Sequence, residues 1–171
     1  MVESYQDSVL NICYHFLNNR EDAEDTAQEV FVEIYQSIHR FRGDSKLFTW
    51  IYRIAAAKSL DLIRKRKRKK RFAFIKGFFD LTEFEKNKLK SDSLNPGEII
   101  ERKDRAAILQ KAVDSLSANQ RTAIILNKYE GLSYAEVAET MGTSLSSVES
   151  IIHRAKKNLE KILKMFYDEN F

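Results

Sequence analysis

A chain of 171 residues with 43% hydrophobic content has room for one or two domains and enough apolar side chains for real cores, which argues against wholesale disorder. Five glycines and one proline are too few for the regular turns of a β-rich fold, so helices joined by short connections are predicted. The net charge of +4 hides a segregation: residues 1–38 hold eight acids against the single base Arg20, and residues 39–71 hold thirteen bases against Asp44 and Asp61, a split that asks for one basic and one polyanionic partner.

In chain order, a helix over 4–17 puts Tyr5, Val9, Ile12, Cys13 and Phe16 on one face and breaks at Asn18-Asn19. A second helix over 22–38 carries the apolar stripe Ala23, Ala27, Val30, Phe31, Ile34 and Ile38, with Asp22, Asp25, Gln28, Glu29 and Glu33 on its other face. Phe41 to Ser45 reads as a turn, in which Asp44 or Ser45 caps a third helix over 46–70 with Phe48, Ile51, Ile54, Ala55 and Leu62 facing inward. That helix ends in eight consecutive bases, Arg64 to Arg71. Residues 72–97 lose periodicity, mix Phe72, Phe74, Phe78, Phe79 and Phe84 with charges, and close on Asn95-Pro96-Gly97. They read as a linker holding one short helix.

Regular pattern returns at Glu98, with a helix over 98–114. Ser117-Ala118-Asn119-Gln120 has the spacing of a capping box and opens a helix ended by Gly131. Ser133 to Glu136 is a second capping box, whose helix stops at Gly142. A last helix starts near Ser144 and runs to the mid 160s. The predicted fold is all-α: two small helical domains, 1–71 and 98–171, joined by a linker over 72–97.

The segment from Ser133 to Ile152 carries the sharpest functional signal. A helix-turn-helix needs a small residue where its helices touch, glycine at the turn and a β-branched anchor on the second helix, and Ala138, Gly142 and Val148 stand at that spacing. Val137, Met141 and Ile151 fill the remaining inward positions. The second helix of such a unit enters the major groove, so Ser146, Ser147, Glu149, Ser150, His153 and Arg154 are the candidate base or phosphate contacts, with Lys156 and Lys157 further along for the backbone. The bland alternative is a solvated helix face, and Glu149 could equally cap the helix by accepting from the Ser146 amide. The basic run could serve the helix dipole, but eight bases exceed that need and point to phosphates, of DNA or RNA. Trp50, Tyr52 and Arg53 lie just upstream, where an aromatic ring is either core or a platform for an unpaired base.

Other classes fit less well. Cys13 is the sole cysteine, which leaves no intrachain disulfide and no cysteine-based zinc site and suits a reducing cytoplasm. No signal-peptide core opens the sequence and no stretch approaches ~18 apolar residues, so a soluble cytoplasmic protein without membrane insertion is expected. No nucleophile–base pair, metal spacing or phosphate loop is visible, so neither enzyme, metal nor cofactor is expected. A stand-alone helix-turn-helix regulator is the alternative reading, although no dimerisation heptad of sufficient length is evident. An RNA-binding adaptor using the basic run and the aromatics is a third.

Four blocks resemble the extracytoplasmic-function class of bacterial RNA polymerase sigma factors, in order and over nearly the whole chain. They are Asp22-Ala23-Glu24-Asp25 with Gln28-Glu29-Val30-Phe31; Phe41-Arg42-Gly43-Asp44 with Thr49 to Ala55, Asp61 and Arg64; Leu116 to Arg121 with Tyr129 to Tyr134; and Ser147 to Ser150 with His153-Arg154-Ala155. The resemblance implies that Asp22, Asp25, Gln28 and Glu29 dock on the clamp helices of the polymerase β′ subunit. It implies that Arg42, Phe48, Trp50, Arg53, Lys58, Asp61, Arg64 and Lys65 open the −10 element as single strand, with a flipped base. It implies that Ser146, Ser147, Glu149, Ser150, His153, Arg154 and Lys157 read the −35 duplex. A linker along the polymerase channel and an anti-sigma factor are implied in the same way. The sequence departs from the family at Ile51, where a second tryptophan is usual and whose absence implies weaker melting. Ala57 stands where many relatives have Asn, and Glu149 and Ile151 where many have Lys and Arg. The start, several residues later than in most relatives, implies a shortened first helix.

Overall fold

The computed structural model describes residues 2–43, 45–79 and 98–170, with side chains over 5–43, 45–71 and 107–165. The described residues form seven α-helices, a 3₁₀ turn and a π-turn, and contain no strand. The fold is all-α.

Helix α1 (Val2–Leu17) buries Val9, Ile12, Cys13 and Phe16, as its spacing predicts. Asn18 adopts a left-handed φ of 49°, and Asn19 caps α2 (Arg20–Ser37) by accepting from the Asp22 amide at 2.9 Å. The two asparagines thus end one helix and begin the next, and α2 starts two residues earlier than the sequence pattern places it. Ala23, Ala27 and Val30 are buried along α2, but Ile38 falls in the 3₁₀ turn Ile38–Arg40 and is exposed. The Trp50 amide donates to the Lys46 carbonyl at 3.3 Å, so Lys46 holds the cap position of α3 (Leu47–Phe79) instead of Ser45; Asp44 lies outside the described residues. Helix α3 buries Thr49, Ile51, Tyr52, Ala55, Ala56 and Ser59, while Ile54 and Leu62 are half-buried. Its backbone continues to Phe79, past the basic run and into the predicted linker. The rest of that stretch, 80–97, lies outside the described residues.

Helix α4 (Glu98–Ser115) is followed by α5 (Ala118–Ile124), capped by the Ser117 hydroxyl. The predicted capping box there is half formed, because the Gln120 amide oxygen accepts from Asn158 at 3.1 Å instead of turning back to Ser117. Helix α5 passes into a π-turn over Ile125–Tyr129, closed by the Glu130 amide on the Ile125 carbonyl at 3.1 Å. Gly131 follows with φ +70°. Helices α6 (Tyr134–Met141) and α7 (Leu145–Asn170) complete the bundle, and the capping box at Ser133–Glu136 is present in full. Val137, Ala138, Val148, Ile152 and Ala155 are buried where α6 and α7 meet; Met141 and Ile151 are half-buried and pack against this core, and Ile152, not singled out in the sequence, lies deeper than either.

The N-terminal bundle (α1–α3) and the C-terminal bundle (α4–α7) share one apolar cluster, through α3 against α6 and α1 against the π-turn. Among the described residues no helix is long and apolar enough to cross a membrane.

Candidate nucleic-acid interface

Three surfaces carry the residues singled out in the sequence. The first is the outer face of α2. Asp25, Gln28 and Glu29 are exposed and line a shallow groove with Val32, Glu33, Gln36 and Lys58. Asp22 differs: it is half-buried and ion-paired with Arg66 of the basic run. The charge halves read from the sequence therefore touch at this point. Tyr35 is 84% exposed and Val32 56% exposed beside the carboxylates. Sequence reasoning passed over both, although each lies off the inward stripe of α2. An apolar centre ringed by acids has the make-up of a protein-binding patch.

The second surface is the start of α3. The Phe41 and Trp50 rings lie 5.4 Å apart, Phe48 meets Tyr52 edge-on at 5.9 Å, and the Lys46 ammonium stands 5.5 Å over the Phe48 ring. Phe48 and Trp50 are half-buried and pack against the core. Arg42, Arg53 and Lys65 are exposed; Asp61 and Arg64 pair with each other at 3.0 Å. Lys58 is not part of this cluster. It points to the α2 groove and pairs with Glu33 at 3.5 Å. All eight bases from Arg64 to Arg71 are exposed. Burial leaves the Thr49 hydroxyl without a hydrogen-bond partner.

The third surface is the start of α7. Gly142 takes φ +64° and ψ 40°, and its amide donates to the Ala138 and Glu139 carbonyls, which ends α6. Ser144 then caps α7: its hydroxyl accepts from the Ser147 amide at 3.2 Å and its carbonyl from the Val148 amide at 3.1 Å. With Ser144 in that role, Glu149 is not the cap, and it is exposed. Ser146, Ser150, His153, Arg154, Lys156 and Lys157 are exposed, and Ser147 is half-buried against Ser144. The Arg154 Nε donates to the Ser150 carbonyl at 3.2 Å, which aims its guanidinium along the outer face.

A further cluster was missed because its members lie far apart in sequence. His15 Nδ1 meets Glu130 Oε1 at 2.9 Å, and the His15 ring lies 4.5 Å from that of Tyr129. The Glu130 side chain is only 7% exposed. Burial pushes the Tyr52 phenol up in pKa, and the neighbouring Glu130 carboxylate adds to that shift. Arg121 is buried too, against the Asp114 carboxylate, and desolvation lowers its pKa. Cys13 is fully buried near Ser59, and burial pushes its thiol up to about 11.

Comparison with known proteins gives two family matches: sigma-70 region 2 over residues 1–69 and sigma-70 region 4 over residues 106–159. The chain is 31% identical over 164 residues to the RNA polymerase sigma-H factor of Pseudomonas aeruginosa, spanning 96% of this chain and 84% of that protein. It is 32% identical over 165 residues to the ECF RNA polymerase sigma factor SigW of Bacillus subtilis, spanning 96% and 87%. Among solved structures it is similar to the sigma factor RpoE in complex with the anti-sigma factor NepR from Bartonella quintana, with a TM-score of 0.64, 23% identity, and coverage of 95% and 94%.

Proposed function

Because the chain belongs to the extracytoplasmic-function class of the sigma-70 family of RNA polymerase sigma factors, we propose that it divides that work among the three surfaces described. Residues 1–71 form the module that docks on core polymerase and opens the −10 element, and 98–171 the module that reads the −35 element. The stretch between them joins the two modules, with its first eight residues prolonging α3. The observation that carries this reading is one chain presenting an exposed acidic face on α2, an aromatic and basic face on α3, and an exposed recognition helix on α7.

The α2 face, Asp25, Gln28 and Glu29 around Val32 and Tyr35, meets the basic clamp helices of the β′ subunit. Asp22 contributes through its pair with Arg66, which orients the basic run. On α3, Phe48 and Trp50 offer half-open rings to an unpaired base, while Arg42, Arg53, Arg64 and Lys65 hold its phosphates. Unstacking a base costs a few kcal/mol, and ring contact together with charge offsets it. Lys58 and Asp61 act from the side, by their pairs with Glu33 and Arg64. On α7, Ser146, Ser147, Glu149 and Ser150 face base edges, and His153, Arg154 and Lys157 follow along the groove. The protein works by binding, with no catalytic step of its own. By analogy with the relative solved with NepR, an anti-sigma factor is its proposed inhibitor.

The test is in vitro transcription with bacterial core polymerase on genomic templates. Initiation at discrete start sites is expected. Arg154→Ala should weaken duplex promoter binding by about 1–3 kcal/mol. Failure to bind core and to initiate on any template would sink the reading.

A further inference from the structure

The basic run divides between two sides of its helix. At about 100° per residue, Ile63, Arg66, Lys67 and Lys70 fall on one side of α3, and Lys65 and Arg68 fall on the other. The first side lines a cleft of about 640 Å³. Phe16 and Leu17, at the end of α1, add to the apolar lining begun by Ile63, and Lys69 adds a further charge. Asp114 of α4 and Arg121 of α5 complete it, so both bundles contribute.

Arg121 is the informative member. It is only 5% exposed. One terminal nitrogen meets the Asp114 carboxylate, and its Nε has no hydrogen-bond partner among the described residues. Buried donors are seldom left so, and a guanidinium fork suits two oxygens of one phosphate. The charges around it set the kind of anion. Five cations line the cleft against Asp114, and Asp22 pairs with Arg66, which leaves three positive charges unmatched among the described residues. A single carboxylate would answer one of them. A diphosphate ester carries about three negative charges at pH 7. The cleft also falls within the roughly 300–1,000 Å³ of small-molecule sites. It has more room than a bare diphosphate fills, and the rest of its lining is apolar.

We propose that this cleft is a binding site for a nucleoside diphosphate. Its phosphates lie on Lys67, Lys70 and Arg121, and its base lies over the half-buried Leu17 and Ile63, with the buried Phe16 behind them. A base offers a flat face that apolar side chains cover, and its phosphates stay among the cations. Arg66, held by Asp22, borders the phosphates. None of the lining residues is among the strand, duplex or polymerase contacts named above. The site is therefore additional to those three surfaces, and a ligand that binds only the folded chain raises its stability by mass action.

The experiment is isothermal titration calorimetry of the full chain with ADP and GDP, in low salt and without magnesium. Inorganic pyrophosphate and the free nucleosides serve as the two halves of the ligand. One site per chain is expected, and at least one diphosphate should bind about tenfold or more tighter than pyrophosphate and than its own nucleoside. Lys67→Glu combined with Lys70→Glu, both exposed, should weaken binding about a hundredfold. Lys65→Glu combined with Arg68→Glu makes the same charge change on the far side of α3, where screening should hold the loss to about threefold. Arg121→Lys keeps the charge and removes the fork, and should cost about tenfold; an unchanged helical spectrum shows that it folds. The ligand should also raise the melting temperature of the wild type and leave that of the Lys67 and Lys70 variant unmoved. The proposal is overturned if neither diphosphate binds, or if pyrophosphate binds as tightly as both. It is equally overturned if the two charge-reversed pairs lose affinity alike, since a diffuse basic field would then explain the binding.

Discussion

Replacing Gly142 isolates the contribution of a single backbone conformation to the helix-turn-helix. Its φ of +64° and ψ of 40° lie in the left-handed region, and a Cβ built there would meet nothing within 4 Å. The cost of Gly142→Ala is therefore backbone strain alone, about 1–2 kcal/mol for an L-residue. Loss of unfolded-chain entropy returns roughly 0.4–1 kcal/mol. The net expectation is about 1 kcal/mol of destabilisation. With a urea dependence of about 2 kcal/mol/M, the unfolding midpoint falls by roughly 0.5 M. Gly142→Asn should cost less, since Asn tolerates this region, and Gly142→Val more, since a β-branched side chain does not. Urea melts of the three variants, followed by circular dichroism, give the order directly. An alanine variant as stable as wild type, with valine no worse, would refute the strain argument and the turn it supports.

Asp25→Arg or Glu29→Arg should weaken core polymerase binding by about a hundredfold or more, because like charges facing across an interface cost several kcal/mol. Stability should change by no more than about 0.5 kcal/mol, as both residues are exposed; a pull-down with core and a thermal melt check the two halves. Promoter affinity should fall steeply with salt as the Arg64–Arg71 run releases counterions, and a flat response in a fluorescence titration would remove that run from the contact surface. Cys13 should resist alkylation in the folded protein at pH 8, and should react on denaturation. Its thiol is raised from 9.0 to about 11, so the folded state holds the proton more tightly. That contribution to stability is fully present below about pH 9 and is lost as pH rises towards 11; urea melts across that range should show the decline.

The helix-turn-helix was legible because its signals are local. Ser133 with Glu136, Gly142, and Val148 fix caps, turn and anchor within sixteen residues. The stripes of α1 and α2 were legible for the same reason, as the 3.6-residue period is written into consecutive turns. Adjacent residues were harder: Ile151 and Ile152 differ by one helical step and both pack inward, but the pattern singled out the half-buried one and passed over the fully buried Ile152. The end of α3 was misplaced because residues 72–97 mix aromatics and charges without a sustained helical period, although no proline stops the helix before Phe79. What stayed hidden was tertiary. Nothing around Arg53 announces the carbonyls of Glu139 and Thr140, and nothing around His15 announces Glu130, since those partners arrive from the other end of the chain.

The π-turn at Ile125–Tyr129 has a bearing on this that its size conceals. An i to i−5 bond accommodates one spare residue in a helix, and each added residue rotates everything after it by about 100°. That rotation is what brings Tyr129 and Glu130 round to α1. A chain shortened by deletion of Lys128, which is exposed, would regain ordinary helical winding at this point and aim Glu130 elsewhere. It would trade a wider coil for a regular one, and in doing so lose its grip on His15.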